Sequence, residues 1–204
     1  MKHGILLSIL LSGALLLTAC GGGQAEPDTE APQGETSSGF QAQYDWVLPD
    51  FQYVNQDGKE IGKEDLLGEA WLANFVFTNC TTVCSPMTAN MAKVQRKLKE
   101  AGLDNNMVSF SVDPERDTPP VLKEFAAKFE ADLSHWHFLT GYQQEEVSTL
   151  AKAFKTLAEN EEGTDQFIHS TKIFLIDKDG TIVKGYDGLD VPFEEIVADL
   201  QALK

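Results

Sequence analysis

Apolar and polar positions along the chain fall into strand-length and helix-length segments that begin near Tyr44. Phe51-Gln52-Tyr53-Val54, a turn at Asn55-Gln56-Asp57-Gly58 and a short second strand read as a hairpin, with Asp57-Gly58 as the informative dipeptide. Trp71 to Thr78 is a nearly continuous apolar run of strand length, the pattern of a strand buried on both faces. Ser85 to Ala101 reads as a helix, because Met87, Met91, Val94 and Leu98 share one face and Gly102 closes it. Met107 to Val112 is the next strand. Thr118 before Pro119 predicts an N-cap with proline at the first helical position, opening a helix to about Phe129. Trp136 to Thr140 is a further strand, and Glu145 to Leu157 a further helix. A polar insertion, Glu159 to Gln166, precedes strands at Lys172–Ile176 and Thr181–Tyr186, joined by the turn Asp177-Lys178-Asp179-Gly180. A helix from about Phe193 to Leu203 ends the chain.

The order is hairpin, then β-α-β-α-β-α, then a β-hairpin and a helix. That order predicts an α/β fold with helices on both faces of a mixed central sheet and an N-terminal β-hairpin extension. Right-handed crossovers leave a thioredoxin-like arrangement as the simplest closed solution.

The first 43 residues follow different rules. Lys2 and His3 form a short positive region, and Gly4 to Leu16 is an almost unbroken apolar run. It falls short of the ~20 residues that a spanning helix needs, but suits the core of a signal peptide. Leu17-Thr18-Ala19-Cys20, followed by Gly21, Gly22 and Gly23, resembles the lipobox of bacterial lipoproteins, in which Cys20 would be alkylated by diacylglycerol and become the new N-terminus. Residues 1–19 are thus expected to be a lipoprotein signal peptide, and the mature protein to be held by lipid on the extracytoplasmic face of the cell membrane. From Gly21 to about Gln43 the chain is rich in Gly, Ser, Glu, Gln and Pro. Such a stretch buries too little surface to offset its conformational entropy, so residues 20–43 read as the lipidated cysteine and a disordered tether, and 44–204 as one folded domain.

Composition sharpens the picture. The chain has 204 residues, 42% of them apolar, and a formal charge of −16. Residues 1–19 carry Lys2 as their only formal charge, so their removal makes the exported chain slightly more negative still. That excess repels phosphate backbones, so nucleic acid is not an expected partner. There are three cysteines. With Cys20 as the anchor, Cys80 and Cys84 remain as a pair in a compartment where dithiols oxidise.

Cys80 and Cys84 lie where the buried strand hands over to a helix, in Phe77-Thr78-Asn79-Cys80-Thr81-Thr82-Val83-Cys84-Ser85-Pro86-Met87. An incoming helix N-terminus offers unpaired amides and a partial positive charge, which stabilise thiolates. The i, i+4 spacing is expected to put both sulfurs on one side of the first helical turn, close enough to share a metal ion or form a disulfide. A purely structural disulfide is the alternative, but so small a loop restrains the unfolded chain by only about 2 kcal/mol. The loop facing the thiols has no proline, unlike that of thioredoxins. It offers Phe167-Ile168-His169-Ser170 just before the strand expected beside the cysteine strand, so His169 is placed to face the thiols.

These residues together resemble the Sco family, also called SenC, copper-binding accessory proteins for cytochrome c oxidase. The resemblance is carried by Thr78 to Cys84, by Ser111-Val112-Asp113-Pro114-Glu115-Arg116-Asp117-Thr118-Pro119, by Leu139-Thr140-Gly141 and by Ile168-His169-Ser170. It runs from about Phe51 to Ala202. One difference is that Ser85 stands directly after the second cysteine, where the family commonly has proline. The resemblance implies Cys80, Cys84 and His169 as copper ligands, and cytochrome c oxidase subunit II as partner, with other copper chaperones or thiol–disulfide proteins beside it. Two thiolates and an imidazole suit Cu(I) and accommodate Cu(II), whereas structural zinc wants four protein ligands.

Asp113 and Asp117 fall at the end of the next strand and are candidates to orient His169 or to lend charge to Cu(II), beside the turn and helix-start chemistry both favour. His135 and His137 flank Trp136, and a strand would aim both to one side, as surface histidines or a second weak copper site. Met87 and Met91 belong to the buried helix stripe. Three functions compete: a metallochaperone delivering copper to the binuclear copper site of oxidase subunit II, a thiol–disulfide reductase keeping that site's cysteines reduced, and a peroxiredoxin-like peroxidase. The last needs proline seven residues before the reactive cysteine, where Cys84 has Phe77.

Overall fold

The computed structural model of the chain describes residues 39–204. The expected signal peptide, Cys20 and most of the expected tether lie outside the described residues. A six-stranded mixed sheet runs in the order β1 (Trp46–Val47), β10 (Thr181–Asp187), β9 (Lys172–Ile176), β4 (Trp71–Val76), β5 (Met107–Ser111), β6 (Trp136–Leu139). β4, β5 and β6 are parallel, β9 pairs antiparallel with β4, and β10 pairs antiparallel with β9. Every residue of β4 and β5 is buried, as a sheet covered on both faces requires. Phe154, at the end of α3 (Gln144–Ala153), packs against Phe75, Phe110 and Phe174 of three neighbouring strands. α1 (Cys84–Glu100) and α4 (Phe193–Ala202) pack on each other. The α/β, thioredoxin-like architecture is the one the element order predicts.

The predicted hairpin forms as β2 (Gln52–Val54) and β3 (Glu60–Gly62), a two-stranded sheet of its own. Asn55 shapes its turn by accepting the amides of Asp57 and Lys59 on its side-chain oxygen, and Gly58 supplies the positive φ of 72°. The methionine stripe is core: Met87, Met91, Val94 and Leu98 are all buried in α1.

Four local expectations change. Thr118 occupies the cap position of α2 (Pro119–Ala127), but its hydroxyl makes no capping bond. Pro119 and Pro120 have no N–H to offer, so there is little for the hydroxyl to satisfy. α3 stops at Ala153 rather than Leu157, with Lys155 turning through φ 53°. The stop frees Ala158–Asn160 (β7) to pair with Phe167–His169 (β8), so the polar insertion is the turn of a second hairpin. Before the domain's expected start, Phe40 is buried and the Gln43 amide donates to the Val183 carbonyl, beside β1 on the edge of β10. Among the described residues no helix is long and apolar enough to cross a membrane.

Candidate metal centre

The centre is assembled where β4 ends. Asp117, fully buried, accepts hydrogen bonds from the Thr78 amide, the Thr78 hydroxyl (2.6 Å) and the Ser111 hydroxyl (2.6 Å). It thereby ties the exit of β4 to the end of β5 and fixes the root of the cysteine loop. Only Cys84 lies in the helix, as the first residue of α1; Cys80 sits in the loop before it, rather than on the first turn. The two still meet, because the Cys84 amide donates to the Cys80 sulfur at 3.3 Å. Val83, at the cap position, makes no side-chain capping bond, so the sulfur takes up an amide the helix start leaves over. Both cysteines are free thiols.

His169 ends β8 and reaches the thiols from the other side. Its Nε2 lies 3.3 Å from Cys84 Sγ, and its Nδ1 lies 2.9 Å from the Ser170 carbonyl oxygen. A carbonyl only accepts, so Nδ1 carries the proton and Nε2 presents its lone pair to the sulfurs. The ring stands edge-on to Phe77, which also packs on Phe167. The donor atoms of Cys80, Cys84 and His169 all lie within 4.8 Å of one another, the one such group of metal-ligating type among the described residues.

Electrostatics separates the two thiols. Burial pushes the Cys84 thiol far up, and its hydrogen bond with Cys80 adds to the rise. Burial acts the same way on half-buried Cys80, but the hydrogen bonds from the Cys84 thiol and the backbone at Thr82 and Cys84 outweigh it and hold Cys80 below its ordinary value. Burial also lowers His169, against the smaller opposite pull of the Ser170 carbonyl, which keeps the imidazole neutral and able to ligate.

The remaining candidates stand apart from this group. Neither Asp113 nor Asp117 hydrogen-bonds His169; orientation of the ring falls to Ser170 and Phe77. Asp113 pairs with Arg116, and its carbonyl accepts the Arg116 and Asp117 amides, which is turn chemistry. Asp117 acts on the cysteine loop through Thr78. His135 is exposed in the turn before β6, while His137 is half-buried on β6 beside the Asn55 amide at 3.5 Å, so only His137 lies on the strand. Thr78 and Ser111 were not singled out by the sequence as partners of Asp117. Their signal is weak, since a small hydroxyl at a strand end carries no periodicity of its own.

Comparison with known proteins gives a consistent result. Residues 41–204 match the SCO1/SenC family model. The chain is 41% identical over 190 residues to the SCO1 protein homolog of Bacillus subtilis, covering 92% of this chain and 91% of that one. It is similar to the crystal structure of a SCO1/SenC family lipoprotein from Bacillus anthracis, with 48% identity, a TM-score of 0.76, and coverage of 78% of this chain and 95% of that one. It is also similar to Bradyrhizobium japonicum ScoI with copper bound, at 28% identity and a TM-score of 0.65, covering 78% and 99%.

Proposed function

The chain belongs to the SCO1/SenC family, and from that premise we propose that it binds one copper ion through Cys80, Cys84 and His169 and serves assembly of the binuclear copper site of cytochrome c oxidase. The observation that carries this reading is the convergence of two sulfurs and an unprotonated imidazole nitrogen within 4.8 Å. Two soft sulfurs and one nitrogen make a low-coordinate donor set suited to Cu(I), and the same atoms accommodate Cu(II). Zinc in a structural site would want a fourth protein ligand, and among the described residues no fourth His, Cys, Asp or Glu joins the cluster. The copper-bound relative supports the choice of metal. Family membership supports the proposed oxidase role and the proposal of subunit II as recipient.

A second reading is supported by the same pair of thiols. In a thiol–disulfide reductase, Cys80 as thiolate attacks a partner disulfide and releases one partner thiolate. Cys84 then loses its proton, attacks the mixed disulfide and releases the second, leaving a Cys80–Cys84 disulfide and a reduced partner. The more exposed, lowered Cys80 beside the buried, raised Cys84 suits that order of attack. Metal analysis of the reduced protein beside an insulin-reduction assay separates the two. Stoichiometric copper without turnover supports the chaperone; turnover without retained copper supports the reductase.

The domain acts at a membrane surface in this reading, with residues 1–19 removed, Cys20 lipidated and the stretch between Cys20 and the folded domain as tether. The Leu17-Thr18-Ala19-Cys20 motif and the lipoprotein among its relatives support it. Cys20→Ala should release the protein from membranes or leave it unprocessed, with copper binding intact. An unlipidated wild-type N-terminus by mass spectrometry, after expression in a bacterium, would count against it.

A further inference from the structure

We propose that Arg116 is a positioning residue for the metal centre: it clamps the β7–β8 hairpin to the loop after β5 and thereby holds His169 against Cys84. The inference rests on the reading of Cys80, Cys84 and His169 as copper ligands.

His169 is the least anchored member of the group. Cys84 is built into α1, and Cys80 is bonded to it, but β8 pairs with β7 and not with the six-stranded sheet. At its root the hairpin is held by buried Ala158, whose carbonyl accepts the Ser148 hydroxyl, and at the turn end of β8 by Phe167 against Phe77. Towards its tip the links to the body of the domain are polar. Arg116 Nη2 donates to the Asp165 carbonyl at 2.8 Å, and Nη1 lies 3.7 Å from the Asp165 carboxylate. On its other side, Arg116 Nε donates to Asp113, whose side chain is 4% exposed. One guanidinium therefore spans a buried carboxylate on the body and the turn of the hairpin, a forked contact that a lysine ammonium cannot reproduce. Asn79, next to Cys80, completes the link: its amide donates to the Asp165 carboxylate at 2.9 Å, and its carbonyl accepts Gln166 Nε2 at 3.3 Å. The contact joins the loop after β5 to the two chain segments, the cysteine loop and the β7–β8 hairpin, that supply the sulfurs and the imidazole.

Exposed ion pairs contribute little to global stability. The Arg116–Asp165 arm is such a pair, so its loss should free the hairpin without unfolding the domain, and the effect should appear in the metal centre. Metal-ligand geometry is sensitive to such outer contacts, whose removal typically weakens sites about 10- to 100-fold when they touch a ligand directly. A clamp acting through a hairpin should have a smaller effect, of about three- to tenfold.

The test uses the full chain loaded with Cu(II), following the copper–thiolate absorption band and the rate of copper release to a chelator. Arg116→Ala should accelerate release about three- to tenfold and shift the band, with faster amide exchange over residues 158–169 in the metal-free protein. Asp165→Ala, which leaves the Asp113–Arg116 pair and the Arg116 bond to the residue 165 carbonyl in place but removes the carboxylate from Arg116 and Asn79, should act in the same direction with a smaller effect and excludes an effect of stranding the buried Asp113. Arg116→Lys should fall in between. In a His169→Ala background, Arg116→Ala should add nothing, because the residue acts through that ligand. Wild-type band and release in both Arg116→Ala and Asp165→Ala would overturn the proposal, as would effects that simply add to those of His169→Ala. A failure of the ligand reading shows separately, as an unchanged band in His169→Ala alone, and takes the positioning role with it.

Discussion

Nε2 of His169 lies 3.3 Å from Sγ of Cys84, although the two are 85 positions apart in the chain and no main-sheet pairing connects them. The Ser170 carbonyl holds the proton on Nδ1, so the nitrogen facing the sulfur is the one free to bind metal. That relationship divides the roles of imidazole and dithiol.

Cys80→Ser or Cys84→Ser should each abolish tight copper binding and the intramolecular disulfide, since both functions need both sulfurs. His169→Ala should leave disulfide formation intact, because the imidazole takes no covalent part in it. Copper should still bind the two sulfurs, with lower affinity and an altered Cu(II)–thiolate band. His135→Ala and His137→Ala should leave the band alone. Wild-type affinity and spectrum in His169→Ala would mean that another group supplies the nitrogen.

The thiols should differ in reactivity. Cys80 is half-buried with its thiolate favoured, whereas Cys84 is buried with its thiol pushed up. In the reduced, metal-free protein near neutral pH, iodoacetamide should therefore modify Cys80 well before Cys84. Peptide mapping after brief exposure reads the order directly. Equal labelling in the folded state would contradict the asymmetry.

Copper should stabilise the fold. An ion that binds only the folded state, present at 1,000 times its dissociation constant, adds about 4 kcal/mol. The reduced protein should then melt several degrees higher with copper than without. The donors come from the β4–α1 connection and from β8, so the ion ties together segments that unfolding separates. A melting curve unmoved at saturating copper would argue against a site shared between them.

Acid should weaken the metal-free protein partly through His169. Its folded-state value is lowered by burial, so the unfolded chain takes up the proton more readily. The contribution to stability is present above the unfolded value, about 6.5, and is lost as pH falls through the lowered folded value. His169→Gln should flatten the loss of stability below that pH. Half-buried His137 is lowered for the same first reason, with the neighbouring His135 adding to it, and should contribute a similar slope that His137→Gln removes. Denaturant titrations at stepped pH check both, and an unchanged slope in His169→Gln would refute the assignment.

Much of this could be read from local pattern. The all-buried β4, the methionine face of α1, the Asp57-Gly58 turn and the handover from strand to helix at the cysteines each leave a mark within a few residues, because periodicity and turn chemistry are short-range. The β7–β8 hairpin left none. Ala158-Glu159-Asn160 has no alternating apolar face, and its pairing with Phe167–His169 depends on α3 stopping at Ala153. β1 is only two residues long and exists because the edge of β10 is there to receive it.

The sequence by itself determined the order of the elements other than β1, β7 and β8, and with it the fold, together with the three residues proposed to carry the metal chemistry and the lipobox-like motif at Cys20. The order of elements follows from spacing and local backbone preference, whereas the ligand set and the Cys20 motif are legible through their resemblance to known families. Tertiary structure alone decided which atom of His169 faces the thiols, that Cys84 is buried while Cys80 is only half so, and that Asp117 serves Thr78 and Ser111 rather than the imidazole. It also decided that Arg116 bridges Asp113 and Asp165. Each of these depends on desolvation and hydrogen-bond geometry between segments distant in the chain, and neither quantity exists until the segments meet.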